Sequence, residues 1–315
     1  MPADAGIAAE QALAGARARS APINAAWLAG PLQAIAARFT HDASATQVEA
    51  QAKALLLSTD WTERLLAPLI AALRTDPWFE PPFKTSRDAL RTGIVLIDCP
   101  TVTVAATITS AEALRKIPVP ATLVIPGRIT LTRYVRGGNA SMRRWQAKLA
   151  GPDFNAAAEP PAAEIEPLVL GDGELVRQDG RRCGHLVVEA DSDIVALIAT
   201  IKPGAAPLMR EYAVTDGRFV RAASADDATS RIEMLLTFLR ISGRADAAEA
   251  FESASRHPAF HLRWAAMREW LMLDARTARR RLAEMGAGDP NAEVRAAARA
   301  TLPALDRRLA QPCRA

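Results

Sequence analysis

Aromatic residues are scarce in this 315-residue chain, which holds six tryptophans, eight phenylalanines and only two tyrosines, Tyr134 and Tyr212. Histidine is limited to four positions, His41, His185, His257 and His261, so any multi-histidine metal centre would have to draw on these. The three cysteines, Cys99, Cys183 and Cys313, are odd in number and far apart. That excludes a disulfide framework and a paired Cys-x-x-Cys knuckle, and leaves ordinary thiols in a reducing compartment. The longest apolar runs, Gly93 to Ile97 and Thr103 to Ile108, fall far short of the roughly 18 residues that a bilayer span needs. The start, Met1-Pro2-Ala3-Asp4, lacks the basic region of a signal peptide. A cytoplasmic location is the resulting expectation.

Half of the chain is apolar, and its length suffices for two domains and a substantial core. The basic residues are almost all arginine, and they are unevenly spread. From Arg256 onward twelve arginines face six acids, a net of +6, so the formal +4 of the whole is a C-terminal property. Such a surface attracts nucleic acid, an acidic protein face or an anionic membrane; it is also what solvated arginine-rich helices present.

Three segments follow one another. Residues 1–84 read as helical, with three-to-four spacing in Leu28, Leu32, Ile35 and again in Leu65, Leu66, Leu69, Ile70, Leu73. Asp60 followed by Glu63 has the spacing of a capping box, and the Asp76–Phe83 stretch, with Pro77, Pro81 and Pro82, ends the helix. Residues 85–222 change to short Val/Ile/Thr-rich runs: 93–98, 101–109, 121–125, 129–135, 174–177, 185–188, 194–201 and 211–214. Turn signals such as Pro126-Gly127, Gly137-Gly138-Asn139 and Asp179-Gly180 separate them, the pattern of an antiparallel sandwich or barrel. The stretch from Gly151 to Glu166 reads as a long loop inside it.

The segment Gly171-Asp172-Gly173-Glu174-Leu175-Val176, running through Asp179-Gly180 to Gly184-His185 and then Asp193 to Ile198, resembles the second motif of the cupins. In that motif a glycine-turned hairpin ends in a metal-binding histidine. The resemblance implies a small jelly-roll barrel with a ligand site inside. Where the first cupin motif would carry His-x-His and a glutamate, this chain has Thr130-Leu131-Thr132-Arg133-Tyr134-Val135-Arg136. A barrel without the usual metal ligands is therefore expected, with no metal and no cofactor.

Residues 223–315 repeat themselves. Ala225-Asp226, His257-Pro258 and Asp289-Pro290 align at a period of 32 residues, with Arg231, Arg263 and Arg295 in register. The apolar sets Met234, Leu235, Phe238, Leu239 and Ala266, Met267, Trp270, Leu271 also coincide. A fixed period of this kind marks stacked helix pairs whose apolar stripes neighbouring units cover. His257 and Asp289 are placed to cap, and Pro258 and Pro290 to open a helix. The run from Asp289 to Ala298 resembles the short bacterial HEAT-type repeat, also found in phycobilin lyases, which implies a curved α-solenoid with a surface for a protein, nucleic acid or cofactor-bearing partner, a protein being the leading expectation. The in-register arginines are expected to bridge to acids of the adjacent unit.

Few residues offer chemistry. His257 and His261 have the spacing of a zinc pair but lack the glutamate of His-Glu-x-x-His, His41-Asp42 lacks the further ligands of a phosphohydrolase, and Cys183 with His185 lacks an orienting acid. Neither a phosphate loop nor a Gly-x-Ser-x-Gly elbow is present. The candidate ligand-binding residues are Tyr134, Arg136, His185, Arg210 and Tyr212, with Arg133 on the opposite face from Tyr134 and Glu189 nearby. The candidate partner-binding residues are Arg276, Arg279, Arg280 and Arg299. The fold class expected is α+β: N-terminal helices, an antiparallel cupin-like β barrel or jelly roll, and a C-terminal solenoid of HEAT-like helix pairs. The leading expectation is a non-catalytic binding or regulatory protein. The alternatives are a divergent cupin-type metalloenzyme acting on a macromolecular substrate held by the repeats, and nucleic-acid binding by the basic solenoid.

Overall fold

The structure, a computed structural model, describes residues 2–310, with side chains from residue 10 onward; Cys313 and Met1 lie outside the described residues. It is α+β, with helices at both ends of the chain and antiparallel sheets between them. No helix among the described residues is long and apolar enough to cross a membrane.

The first helix, α1 (Pro2–Trp27), passes through a π-helical turn at Leu28–Leu32 into α2 (Gln33–Ala36). Pro31 inside that turn has no N–H to give, which fits a local widening of the hydrogen-bond ladder. Helices α3 (Ala45–Leu57) and α4 (Asp60–Thr75) complete the segment. The capping box belongs to α3, where Ser44 and Gln47 bond reciprocally. The expected Asp60/Glu63 box does not form, because Asp60 is already helical; it acts on the helix dipole from the first turn instead. The buried face of α4 is Trp61, Leu65, Leu69 and Ala72, while Ile70 and Leu73 of the expected stripe are exposed. Similarly Leu28 is exposed, and the neighbouring Trp27 is buried, donating its indole N–H to Leu65 O at 2.7 Å.

A six-stranded antiparallel sheet runs β1 (Lys84–Arg87), β2 (Arg91–Asp98), β3 (Val102–Thr109), β10 (Ile194–Ile201), β5 (Ile129–Arg136), β8 (Glu174–Asp179) in spatial order. Two three-stranded sheets accompany it: β7 (Ala163–Leu170), β6 (Ala140–Gln146), β9 (Cys183–Glu189), which packs on its inner face, and β12 (Phe219–Ser224), β11 (Leu208–Ala213), β4 (Thr122–Ile125), which packs against β6 and β9. Gly184 of β9 lies under β4, where a Cβ would stand 2.7 Å from Val124 O, so only glycine permits this approach. A short helix, α5 (Ala111–Lys116), capped by Ser110, links β3 to β4.

Strand alternation gives the large sheet two different faces. Leu197, Ala199 and Ile201 of β10, with Ile129 and Leu131 of β5 and Val102 and Val104 of β3, join Leu55, Leu56, Leu65 and Trp27 in the largest core, beneath the N-terminal helices. The opposite face forms the barrel interior, where Tyr134, Ile194 and Ala196 pack with Met142 and Leu170 of the facing sheet.

At the C-terminus, α6 (Asp227–Ile241), α7 (Ala248–Ala254), α8 (Phe260–Leu273), α9 (Ala275–Gly288) and α10 (Ala292–Ala310) pack on one another and on β12. Two units share a detail. Arg263 Nη1 donates to His257 O and Pro258 O at 3.0 and 2.9 Å, and Arg295 Nη1 donates to Asp289 O and Pro290 O. His257 Nδ1 and Asp289 Oδ1 each accept the backbone N–H two residues ahead, at 3.1 and 2.9 Å. The helices nevertheless begin later than expected, at Phe260 and Ala292, and Asn291 Oδ1 takes the Val294 N–H. Pro258 and Pro290 thus precede their helices. Arg263 also pairs with Asp289 of the next unit through two bonds of 2.6 and 2.8 Å, both partners buried. Burial pushes the Asp289 carboxyl up, but Arg263 and the Asn291 N–H outweigh it and hold it below the usual carboxylate range.

The first unit departs from this pattern. Met234, Leu235 and Phe238, expected in the core, are exposed together with Ile241, and α6 buries Leu236 instead. The equivalent Ala266, Met267 and Trp270 are buried. The reason is the neighbour: α6 follows strand β12, so no preceding helix pair covers its outer face. Arg231 is likewise exposed and carries no ion pair among the described residues. Arg263→Ala is therefore expected to cost about 3–5 kcal/mol, because it strands a buried carboxylate, whereas Arg231→Ala should stay within about 0.5 kcal/mol; urea unfolding of the two variants side by side measures the contrast.

Candidate ligand site in the barrel

Register decides which side chains enter the barrel. Met142 faces Val187 and Arg144 faces His185 across β6 and β9, so the packing of Met142 and Val187 in the interior carries Arg144 and His185 in with them. On the other wall, Tyr134 of β5 stands opposite Ala196 and Glu174, and Arg91 of β2 stands opposite Thr109 of β3. Arg91 Nε donates to Thr109 Oγ1 at 3.2 Å. The same face carries a polar row across four strands, Thr103, Thr200, Thr130 and Gln178.

Arg91, Thr109 and His185 open into a cavity of about 130 Å³, whose apolar wall comes from Leu114 of α5 and the Ile117–Pro120 segment after it. Burial lowers the His185 imidazole to a pKa of about 4, and the nearby guanidiniums of Arg91 and Arg144 add to the shift. Burial pushes the Tyr134 hydroxyl up to about 12, with Arg91 opposing and Glu174 reinforcing. Arg91 is thus the common neighbour of both rings. Neither Arg91 nor Arg144 forms an ion pair among the described residues, although Asp88 is within electrostatic reach of Arg91 and Glu174 of Tyr134; the cavity lining itself carries Arg91 and no carboxylate, and both titratable rings are neutral.

Such a pocket suits an anion. It does not suit a metal ion: no group of three or more His, Cys, Asp or Glu side chains able to hold one occurs among the described residues, and two guanidiniums beside His185 oppose a further cation. The Cys183 thiol is not activated either. Burial raises the Cys183 thiol, with Asp179 adding to it, which disfavours the thiolate.

Of the residues singled out in the sequence, Tyr134 and His185 come together here. Arg136 does not join them: the ladder slips between Val195 and Ala196, and Arg136 stands exposed at the rim. Arg210 and Tyr212 are elsewhere, fully buried. Arg210 Nη1 donates to Glu159 Oε1 at 2.5 Å and to the Tyr212 hydroxyl at 2.8 Å, Nη2 donates to Arg181 O at 2.9 Å, and the Tyr212 hydroxyl donates to Glu159. Both terminal nitrogens of the guanidinium are thus held by the protein, only the buried Nε being left without a partner, and the cluster opens on neither cavity. Arg133 points away from the interior, as alternation requires, and Glu189 is exposed. His41 is exposed beside Asp42, and His257 is held by the Ala259 N–H.

Three of the four C-terminal arginines are also engaged. Arg279 pairs with Asp306 at 2.6 Å, Arg280 with Glu252 at 3.3 Å and Glu284 at 3.6 Å, and Arg299 donates to Gly286 O at 2.6 Å. Arg276 is exposed, without an ion pair among the described residues. Arg144 escaped the sequence reading because strand β6 did, and Arg91 because it lies two residues before the run expected at 93–98. The alternation Ala140, Met142, Arg144 was the available signal, hidden by two successive arginines in the middle of the run.

No family model matches the chain, and no curated protein matches it. Solved structures similar to parts of it include the 7S globulin of Momordica charantia, with 12% identity, a TM-score of 0.27, and coverage of 42% of this chain and 35% of that one. Ectoine synthase from P. lautus gives 10% identity, a TM-score of 0.24, and 38% and 70% coverage. KdgF from Halomonas sp. gives 8%, 0.26, and 39% and 87%. The chain thus spans about a third of the globulin's length. These neighbours are cupin-fold proteins. Likeness at this level transfers no activity, and the barrel rests on its own strand registers.

The half-buried, neutral His185 makes stability depend on pH in a definite direction. The unfolded chain takes up its proton near 6.5 and the fold only near 4, so this contribution is intact above about 6.5 and is lost as pH falls toward 4. The stability deficit of His185→Gln, compared by urea unfolding at pH 7.5 and 4.5, should shrink by about 2 kcal/mol at the lower pH.

Proposed function

We propose that the chain is a non-catalytic binding protein whose barrel holds a small anion without a metal. The observation that carries this is Arg91, which lines the cavity with a neutral His185 and forms no ion pair among the described residues, while Arg144 acts on the same imidazole from the paired strand. A guanidinium offers two parallel N–H donors to a carboxylate or phosphate, and His185 adds a third polar contact. A cavity of about 130 Å³ admits an anion of a few heavy atoms, given that a water molecule takes up about 30 Å³.

The C-terminal helices, HEAT-like in their register, serve in this reading as the docking element for a protein partner. Arg276 is available directly, and Arg279 and Arg280 would exchange exposed internal acids for those of the partner. Exposed ion pairs cost little to exchange. The same internal pairing weakens the nucleic-acid reading, because much of the basic charge is already answered on the helix surface.

The test is calorimetric titration of the full chain, stripped of metal with chelator, with formate, acetate, oxalate and inorganic phosphate. Binding of at least one anion is expected to survive chelation and to weaken about ten-fold or more in Arg91→Gln, since a charge-assisted hydrogen bond contributes about 1.5–3 kcal/mol. Binding that demands a stoichiometric transition metal, or no response to any of the four, would reject the proposal.

A further inference from the structure

A second and larger cavity, of about 450 Å³, lies where the β11–β12 hairpin meets α6, α8 and α10. It shares no lining residue with the barrel pocket. Its walls are aromatic. Phe154 packs edge-on against Phe219 at 5.7 Å and stacks on Phe260 at 6.3 Å, and half-buried Trp264 lines the same space.

Two polar groups in the cavity are left without partners. Both ring nitrogens of His261 are buried and make no hydrogen bond. Burial pushes this imidazole down to about 4, so at neutral pH one nitrogen donates and the other accepts. The Glu233 carboxyl, half-buried on α6, makes no hydrogen bond or ion pair among the described residues. Burial raises its pKa against the opposing pull of Arg268, which lines the cavity but is exposed. The remaining charges are committed elsewhere: Glu293 accepts the Ala156 N–H, and Arg221 is bound to Glu211.

The 32-residue register shows how the arrangement arises. Positions 233, 265 and 297 are equivalent, and all three line the cavity, yet only α6 has an acid there; α8 and α10 have Ala265 and Ala297. A carboxylate with no ion pair among the described residues, in one lining with four aromatic rings, is a recognition element for a cation, because a ring face attracts positive charge and the carboxylate completes the contact. A ligand carboxylate would instead be repelled by Glu233 and leave it more desolvated.

We propose that this cleft binds an aromatic amine, its ring between Phe154, Phe219, Phe260 and Trp264, its ammonium on the Glu233 carboxylate, and one further N–H on the accepting nitrogen of His261. The proposal is independent of the barrel site.

Calorimetric titration of the full chain with tryptamine, indole and indole-3-acetate separates ring, cation and anion. Tryptamine is expected to bind, indole about ten-fold more weakly and indole-3-acetate weakest. Glu233→Gln should weaken tryptamine about ten-fold and leave indole unchanged, and Arg144→Gln should alter neither. Glu233 has no partner to lose, so the variant keeps the fold; its far-UV circular dichroism serves as the control. Equal binding of the three compounds, an unaffected Glu233→Gln, or no binding of tryptamine up to millimolar concentration would overturn the inference.

Discussion

One buried guanidinium fixes the parts of this molecule that form its cavities. Arg210, fully buried, binds Glu159 of the long loop, the Tyr212 hydroxyl of its own strand, and the Arg181 carbonyl in the turn before β9. Removing two charges from water costs several kcal/mol per ion, and only close geometry with further hydrogen bonds repays it. The three elements are therefore locked together, since any one of them moving would strand a buried charge. Burial and the hydrogen bond to Glu159 push the Tyr212 hydroxyl up, so it remains a donor. Gly217 adds a second clamp: the turn between β11 and β12 lies so close to the loop that a Cβ there would stand 2.0 Å from Ala162 O. The locked loop carries Phe154, the hairpin carries Phe219, and the turn leads into the strand of His185. Both cavities inherit their geometry from this cluster.

A second constraint frees the barrel interior for a polar occupant. The large sheet finds most of its apolar burial on the outer side, under Leu55, Leu56, Leu65 and Leu69 of the N-terminal helices. The inner side then need not supply a continuous core, and it carries threonines on β3, β5 and β10 with a small apolar cluster around Tyr134. An isolated barrel of this size would have to fill its interior with side chains to be stable. Here the helices take over that task, and a cationic pocket is tolerated.

Much of the β domain was legible because its central strands are rich in Val, Ile and Thr between glycine turns, as at Ile129–Arg136 and Ile194–Ile201. The strands that escaped are mostly edges: β1 is exposed at every residue, β7 contains Pro167, and β12 is largely exposed. Edge strands are kept polar to prevent unwanted pairing, and that polarity erases their periodic signal. Of the candidate site, His185 and Tyr134 could be found from sequence, but their charged neighbours could not. Arg91 and Arg144 lie 53 residues apart on strands of facing sheets, and no local pattern shows that they act on one imidazole. The burial of Arg210 and Tyr212 was equally hidden, because Glu159, their partner, sits in a proline-rich loop whose path nothing nearby dictates.

The helical segment shows the opposite limit, a sequence period that is uneven in its consequences. Arg263 and Arg295 hold equivalent carbonyls, as the register demands, but equivalence of sequence does not secure equivalence of surroundings. In α6 the apolar positions that α8 buries face solvent, because the preceding element is a strand. The same junction forms the cleft. Its wall is built from one repeated helix face, and its chemistry comes from the places where the repeat is broken: Glu233 among alanines, and His261 between Thr229 and Glu293 at the equivalent positions. Thr229 satisfies itself on Asp226 and Glu293 on the Ala156 N–H, whereas His261 and Glu233 find no partner among the described residues. Regularity supplies the rigid wall, and departures from it leave the unsatisfied groups that a ligand can answer.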